Sequence, residues 1–180
     1  MKPYYKLLSK IIVFSKGPIH LTDSKLRLRS GITTSRQIIE HPGAVVILPR
    51  IAKDHFILIK QFRFAAKKWL WEWPAGGIER GESLKACATR ELMEEAGYRP
   101  KKLTKITDFY PTPGISSEVM HLFLAEQLTP ESAPQDHDED IRTRTFSLKQ
   151  IGQMIRRGSI EDAKTIVGYF YLKELFGKST

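Results

Sequence analysis

Residues 76–98, GGIERGESLKACATRELMEEAGY, open on a pair of glycines and close on Gly97-Tyr98. Gly76 and Gly77 let the backbone take unusual angles and let other groups approach closely. Ser83 is placed to cap a helix from Leu84 to Ala96, and Gly97 is placed to end it. On that helix Leu84, Ala88, Leu92 and Ala96 recur every fourth residue as an apolar ridge. Glu91, Glu94 and Glu95 stand at i, i+3 and i+4, so their carboxylates are neighbours. Like charges at this spacing repel by roughly 0.2–0.5 kcal/mol per pair, and a solvated helix usually intersperses cations among them. Clustered carboxylate oxygens suit hard cations such as Mg2+ or Mn2+. Arg90 is read as orienting a glutamate, and Cys87, amid apolar residues, as buried core rather than a nucleophile. A glutamate cluster alone is more often a solvated face. The order of glycine loop, Glu82, capped helix and glutamate cluster is what points to a metal site.

Working outward, Trp69, Trp71 and Trp73 alternate, which in a strand puts the three rings on one face and Leu70 and Glu72 on the other. The tryptophans read as core or subunit-interface packing. Glu72 directly precedes a Pro-Ala-Gly-Gly loop and is placed to reach what that loop surrounds. Further upstream, residues 44–48 (AVVIL) and 55–61 are apolar runs joined by a polar turn at Lys53-Asp54. The first of them reads as a strand buried on both faces. Residues 4–14 read as a strand broken by Gly17-Pro18, and residues 25–41 as short strands around Gly31. Downstream, strands are predicted over Leu103–Tyr110, Val119–Ala125 and Thr143–Phe146, with a loop over 129–140. Ser147 caps a predicted helix over 148–157. A last helix from Glu161 to Leu175 would present Ile166, Tyr169, Phe170 and Leu172 or Leu175 as its apolar face.

The whole chain has 180 residues and a net charge of +9, which fits one domain, or one domain with a short appendage. One cysteine excludes an internal disulfide framework and a multi-cysteine zinc site, and fits a reducing cytoplasm. No apolar run approaches the roughly 18 residues of a spanning helix. The N-terminal stretch, interrupted by Ser9 and Lys10, does not read as a signal peptide. Residues 76–140 hold thirteen acidic against seven basic side chains, while the remainder holds seven against twenty-two. That pattern suits a carboxylate site framed by cations that attract an anionic substrate. Without zinc-finger spacing, a long basic helix or interleaved Arg and aromatics, nucleic acid is the minor reading.

Gly76, Glu82, Arg90-Glu91-Leu92, Glu94-Glu95 and Gly97-Tyr98 together match the Nudix box, with every constrained position filled. Gln61-Phe62-Arg63, the segment from Glu72 to Gly77, Tyr110–Gly114 followed by Glu118, Glu139-Asp140-Ile141 and Asp162–Thr165 resemble the ADP-ribose pyrophosphatase branch. Together the resemblance covers roughly residues 25–175. Trp73 stands where a smaller apolar residue is expected. The resemblance implies an α+β fold, a Nudix α/β/α sandwich around a mixed sheet, with a small N-terminal antiparallel sheet. It divides the chain into an N-terminal β segment at 1–40, used in dimerisation, and a Nudix hydrolase domain at 41–180.

The activity that the resemblance implies is metal-dependent hydrolysis of ADP-ribose to AMP and ribose 5-phosphate, with Mg2+ as cofactor and Mn2+ as substitute. By the same resemblance, Glu91 and Glu95 are the first metal ligands, followed by Glu82 and Glu94 and the backbone carbonyl of Ala75. It makes Glu94 and Glu139 the catalytic carboxylates, Glu139 as the base on a late loop. Asp136, Asp138 and His137 are read as solvated surface. The branch pattern turns Arg63, Glu72, Pro113 and Glu118 towards the substrate, with a surface salt bridge as the competing reading for Arg63. Arg27, Arg29 and Arg36 lie in a segment that, in this branch, meets the other subunit's site. The implied partners are a nucleoside diphosphate sugar and a second copy of the chain, with no membrane. Hydrolysis of GDP-mannose or another sugar nucleotide is the alternative. A catalytically silent nucleotide-sensing or RNA-binding module is disfavoured by the intact glutamates.

Overall fold

The computed structural model describes residues 4–134 and 140–176. The chain falls into two compact units: residues 1–43 with 110–119, and residues 44–109 with 120–180.

The first unit is an antiparallel sheet of β1 (Tyr5–Lys16), β2 (Ile19–Leu28) and β3 (Thr33–Glu40), in that order. Every residue of β1 is exposed, including Ile11, Ile12, Val13 and Phe14. The segment 110–119 is stitched to the end of β3. Ile39 N donates to Ile115 O at 2.8 Å, Ser117 N to Ile39 O at 2.9 Å, and His41 N to Ser117 Oγ at 3.0 Å. Pro113 and Glu118 therefore belong to the unit that contains the N-terminal sheet.

The second unit is built on a mixed sheet. Its strands are β4 (Ala44–Ala52), β5 (His55–Arg63), β6 (Lys68–Glu72), β7 (Ala75–Gly77), β8 (Tyr98–Phe109), β9 (Met120–Pro130) and β10 (Arg142–Ser147). The order is β10-β5-β4-β9-β8, with β6 paired to β5 and β7 to β4. β4 and β9 run parallel and the other pairs antiparallel. The helices are α1 (Leu84–Ala96), α2 (Leu148–Arg156) and α3 (Ala163–Phe176).

The alternation of strand side chains explains the layering. Val45 and Ile47 of β4 join Ile57 and Phe123 against Cys87, Ala88 and Leu92 of α1. Val46 and Leu48 join Phe56, Leu58 and Leu122 against Ile151 of α2 and Leu172 of α3. Because β4 is covered on both sides, its apolar run is continuous, as the sequence predicts. The expected α+β sandwich and small N-terminal sheet are both present.

Three details differ from the expectations of sequence. First, β6 ends at Glu72, so Trp73 is not on the strand that carries Trp69 and Trp71. Trp73 is fully buried, its Nε1 donating to Thr165 O at 3.0 Å and its ring edge-on to Phe56. Second, β8 begins five residues earlier than predicted and β9 ends five later, because the two pair from Tyr98↔Pro130 to Phe109↔Met120. Third, Ile166, Tyr169 and Leu172 of α3 pack on the core as expected, but Lys164, Thr165 and Gly168 are buried with Leu172, while Phe170 and Leu175 are exposed. Gly168 is needed at this contact, because a Cβ there would lie 2.5 Å from Trp73 Nε1 and 2.7 Å from Leu48 Cδ2. Among the described residues, no helix is long and apolar enough to cross a membrane.

Candidate active site

The caps read from the sequence set the ends of α1. Ser83 Oγ accepts from Ala86 N at 3.2 Å, and Gly97 takes a left-handed φ of 75°, its N–H donating to Leu92 O and Met93 O. With the ends fixed and the apolar ridge packed on the sheet, Glu91 and Glu95 fall one turn apart on the side of the helix that meets β7. Both are nearly buried. Glu95 Oε2 accepts from Ala75 N at 2.8 Å. The Glu91 carboxylate lies over Gly76 so closely that a Cβ there would come within 1.9 Å of Oε1. Gly76 is thus needed for the space it leaves to Glu91.

Arg90 gathers the other carboxylates. Its Nε and Nη2 donate to the two oxygens of Glu82, each at 3.0 Å. Its Nη1 donates to Glu91 Oε1 at 2.7 Å and Glu94 Oε2 at 2.9 Å, and Nη2 also reaches Gly77 O at 3.1 Å. This one guanidinium relieves the repulsion expected of the glutamate cluster. The Arg90 bonds outweigh burial and hold the Glu82 carboxyl below its ordinary range. Cys87 is buried beside them, its thiol pushed up to about 12, chiefly by burial, which keeps it protonated and unreactive.

Behind the box entry lies a second charged cluster. Glu72 has no exposure at all. Arg63 Nε donates to its Oε1 at 2.9 Å and Arg63 Nη2 to its Oε2 at 2.7 Å, a bidentate fork. Lys164 Nζ also donates to Glu72 Oε2, and to Asp162 Oδ1 at 3.0 Å. Burial pushes the Glu72 carboxyl up, but the Arg63 bonds and the Lys164 charge outweigh it and hold the group below its ordinary 4.5. The Glu72 bonds raise Arg63 against the cost of burial, and the fields of Glu95 and Asp162 add to them.

Of the residues picked from sequence, Ala75, Glu82, Glu91, Glu94 and Glu95 are brought together around Arg90 and the 75–77 strand. Arg63 and Glu72 form the pair behind it. Glu118 Oε1 stands 3.8 Å from His41 Nδ1, within the unit that also holds Pro113. Glu139, with Asp136, Asp138 and His137, lies outside the described residues. A cleft of about 430 Å³ borders Glu94 and Glu95 and is lined further by Ser132, Ile141 and Thr143. Motif and periodicity assign no role to Lys164. The signal in the sequence is a lysine in the first turn of a helix, where the helix dipole disfavours a cation.

A family model described as the NUDIX domain matches residues 40–167. The chain belongs to the Nudix family. An ADP-ribose pyrophosphatase of Bacillus subtilis (strain 168) is 39% identical over 173 residues, 94% of each chain. A methanol dehydrogenase activator of Bacillus methanolicus is 32% identical over 163 residues, 89% of this chain and 88% of its own. The crystal structure of an ADP compounds hydrolase superimposes with a TM-score of 0.85 over 98% of this chain and 97% of that one. At 24% identity this last match is a likeness of fold.

Nudix membership raises the question of a divalent metal. Among the described residues, no three His, Cys, Asp or Glu side chains are grouped so as to hold a metal ion. Glu82, Glu91 and Glu94 instead share the Arg90 guanidinium. The donor chemistry nonetheless fits a hard cation: oxygen donors only, high negative charge, and at Gly76 the space that Glu91 needs.

Proposed function

We propose that this Nudix protein hydrolyses the diphosphate of ADP-ribose to AMP and ribose 5-phosphate, using Mg2+ or, in its place, Mn2+. One observation carries the reading. A complete set of box carboxylates, ordered by Arg90 and by the 75–77 strand, lies in a chain 39% identical over nearly its full length to an ADP-ribose pyrophosphatase.

The residues that would hold the metal are Glu91 and Glu95, then Glu82 and Glu94, with the Ala75 carbonyl. When bound, the cation neutralises diphosphate charge and lowers the pKa of water. The chain supplies the rest by positioning and electrostatics. Arg63 uses Nε and Nη2 on Glu72, which leaves Nη1 for a phosphate oxygen. Glu72 orients that guanidinium. Glu139 takes the proton from the attacking water. Pro113 and Glu118 are assigned to substrate contact on their motif alone.

Product analysis tests the reading. ADP-ribose is expected to give AMP and ribose 5-phosphate with Mg2+ and nothing without it. Faster release of GMP from GDP-mannose would move the substrate to the alternative. No turnover of either, with Mg2+ or Mn2+, would remove the hydrolase assignment.

The protein acts as a homodimer through its N-terminal sheet. Supporting this, β1 is a twelve-residue edge strand with large apolar side chains exposed on both faces, which in water invites pairing with another chain. Sedimentation is expected to give twice the 20.7 kDa chain mass, and Ile12→Lys to shift it towards the monomer. A monomeric parent protein at micromolar concentration would refute the dimer.

A further inference from the structure

Lys164 stands in the first turn of α3, two residues after Asp162. Asp162 caps the helix, its Oδ2 accepting from Thr165 N at 2.9 Å and from Thr165 Oγ1 at 2.6 Å. A cation in this turn opposes the helix dipole. It is also costly to bury, yet only 8% of the Lys164 side chain is exposed. Two unfavourable terms are accepted at one residue, and stability does not explain this, because an apolar group packed against an apolar partner serves as well. The ionic arrangement does supply a fixed geometry. Glu72 Oε2 is shared between Lys164 Nζ and Arg63 Nη2. With Lys164 on one side, the carboxylate presents both oxygens to the Arg63 fork.

The same turn of α3 grips the chain just beyond Glu72. Trp73 N donates to Thr165 Oγ1 at 3.0 Å, and Trp73 Nε1 to Thr165 O at 3.0 Å. Ile47 N then fixes Pro74 O at 2.9 Å, and Ala75 N meets Glu95. The start of α3 is thus connected to the box entry through consecutive residues.

We propose that Lys164 is a positioning residue. From α3 it orients the buried Glu72 carboxylate, and through Glu72 it sets the direction of the Arg63 guanidinium towards the substrate diphosphate. This rests on the reading of Arg63 as a diphosphate contact.

The test is a double-mutant cycle on ADP-ribose kinetics with the parent protein, Arg63→Ala, Lys164→Met and the double variant, with the melting temperature of each. Lys164→Met is expected to raise KM about tenfold, as for the loss of one charge-assisted contact, with little change in kcat. In the Arg63→Ala background the same substitution is expected to add less than about twofold, because the two act through one contact. A general structural defect would instead multiply in the double variant and lower kcat. Lys164→Gln, which keeps a donor for Glu72 without the charge, is read in the same way if the methionine variant does not fold. An unchanged KM in the lysine variant, or fully multiplicative effects, overturns the proposal while leaving the assigned function standing. An Arg63→Ala variant with the parent KM overturns the Arg63 contact and this proposal with it, while the hydrolase assignment stands; a parent protein that does not hydrolyse ADP-ribose overturns both proposal and function.

Discussion

Glu95→Gln is expected to fold as the parent does and to lose ADP-ribose hydrolysis by more than about 10²-fold, above the cost of altering an outer-shell partner of a metal site. Glu95 is nearly buried, and one of its structural tasks is to accept the Ala75 N–H at 2.8 Å. A glutamine carbonyl can accept the same bond, so the 75–77 strand keeps its place. The negative charge is what disappears. That charge adds to the negative field around the Arg63 guanidinium. Circular dichroism and thermal melting should show a folded protein with a loss of stability no larger than the roughly 1 kcal/mol central to point mutants. Rates measured with saturating Mg2+ should show the loss. A variant within tenfold of the parent rate would remove Glu95 from the reaction. A variant that unfolds would mean that its charge is structural.

The elements legible in the sequence are those fixed by local signals. Ser83 and Gly97 cap α1 from within their own turns, and the apolar run Ala44–Leu48 states that both faces of its strand are covered. The box glutamates can likewise be placed on one surface from spacing alone. How their charge is balanced is harder to read, since Arg90 bonds Glu82 across eight residues of loop and helix as well as its helical neighbours. The α3 face misleads for a different reason. A search for apolar periodicity finds Ile166, Tyr169 and Leu172, which pack on the core, but adds Phe170 and Leu175, which are exposed, and passes over Gly168, whose lack of a side chain admits Trp73. Glu72 and Lys164 lie ninety-two residues apart, so no periodicity links them. Only the awkwardness of each residue alone, an acid next to a buried tryptophan and a lysine in a first helical turn, signals that each has a distant partner.

Glu72→Gln should give the largest stability loss of any single substitution in this network. Glu72 balances two cations from different elements, Arg63 on β5 and Lys164 on α3, with no access to water itself. Removing one partner of a buried ion pair costs about 3–5 kcal/mol, and the lower end applies because Arg63 is partly solvated. In a chain of this size that lowers the melting temperature by roughly 6–12 °C. The pH dependence separates charge from packing. A carboxyl held below its ordinary value contributes stability that is fully present above 4.5 and is lost as pH falls through its lower folded-state value. The gap between parent and variant should therefore be constant from neutral pH down to about 4.5 and narrow below it, because the parent then protonates Glu72 and approaches the variant. Urea unfolding at pH 7 and at pH 3–4 measures both gaps. A gap that stays constant through the acid range would mean that the amide fails by its shape, and that the two cations do not depend on the charge of Glu72.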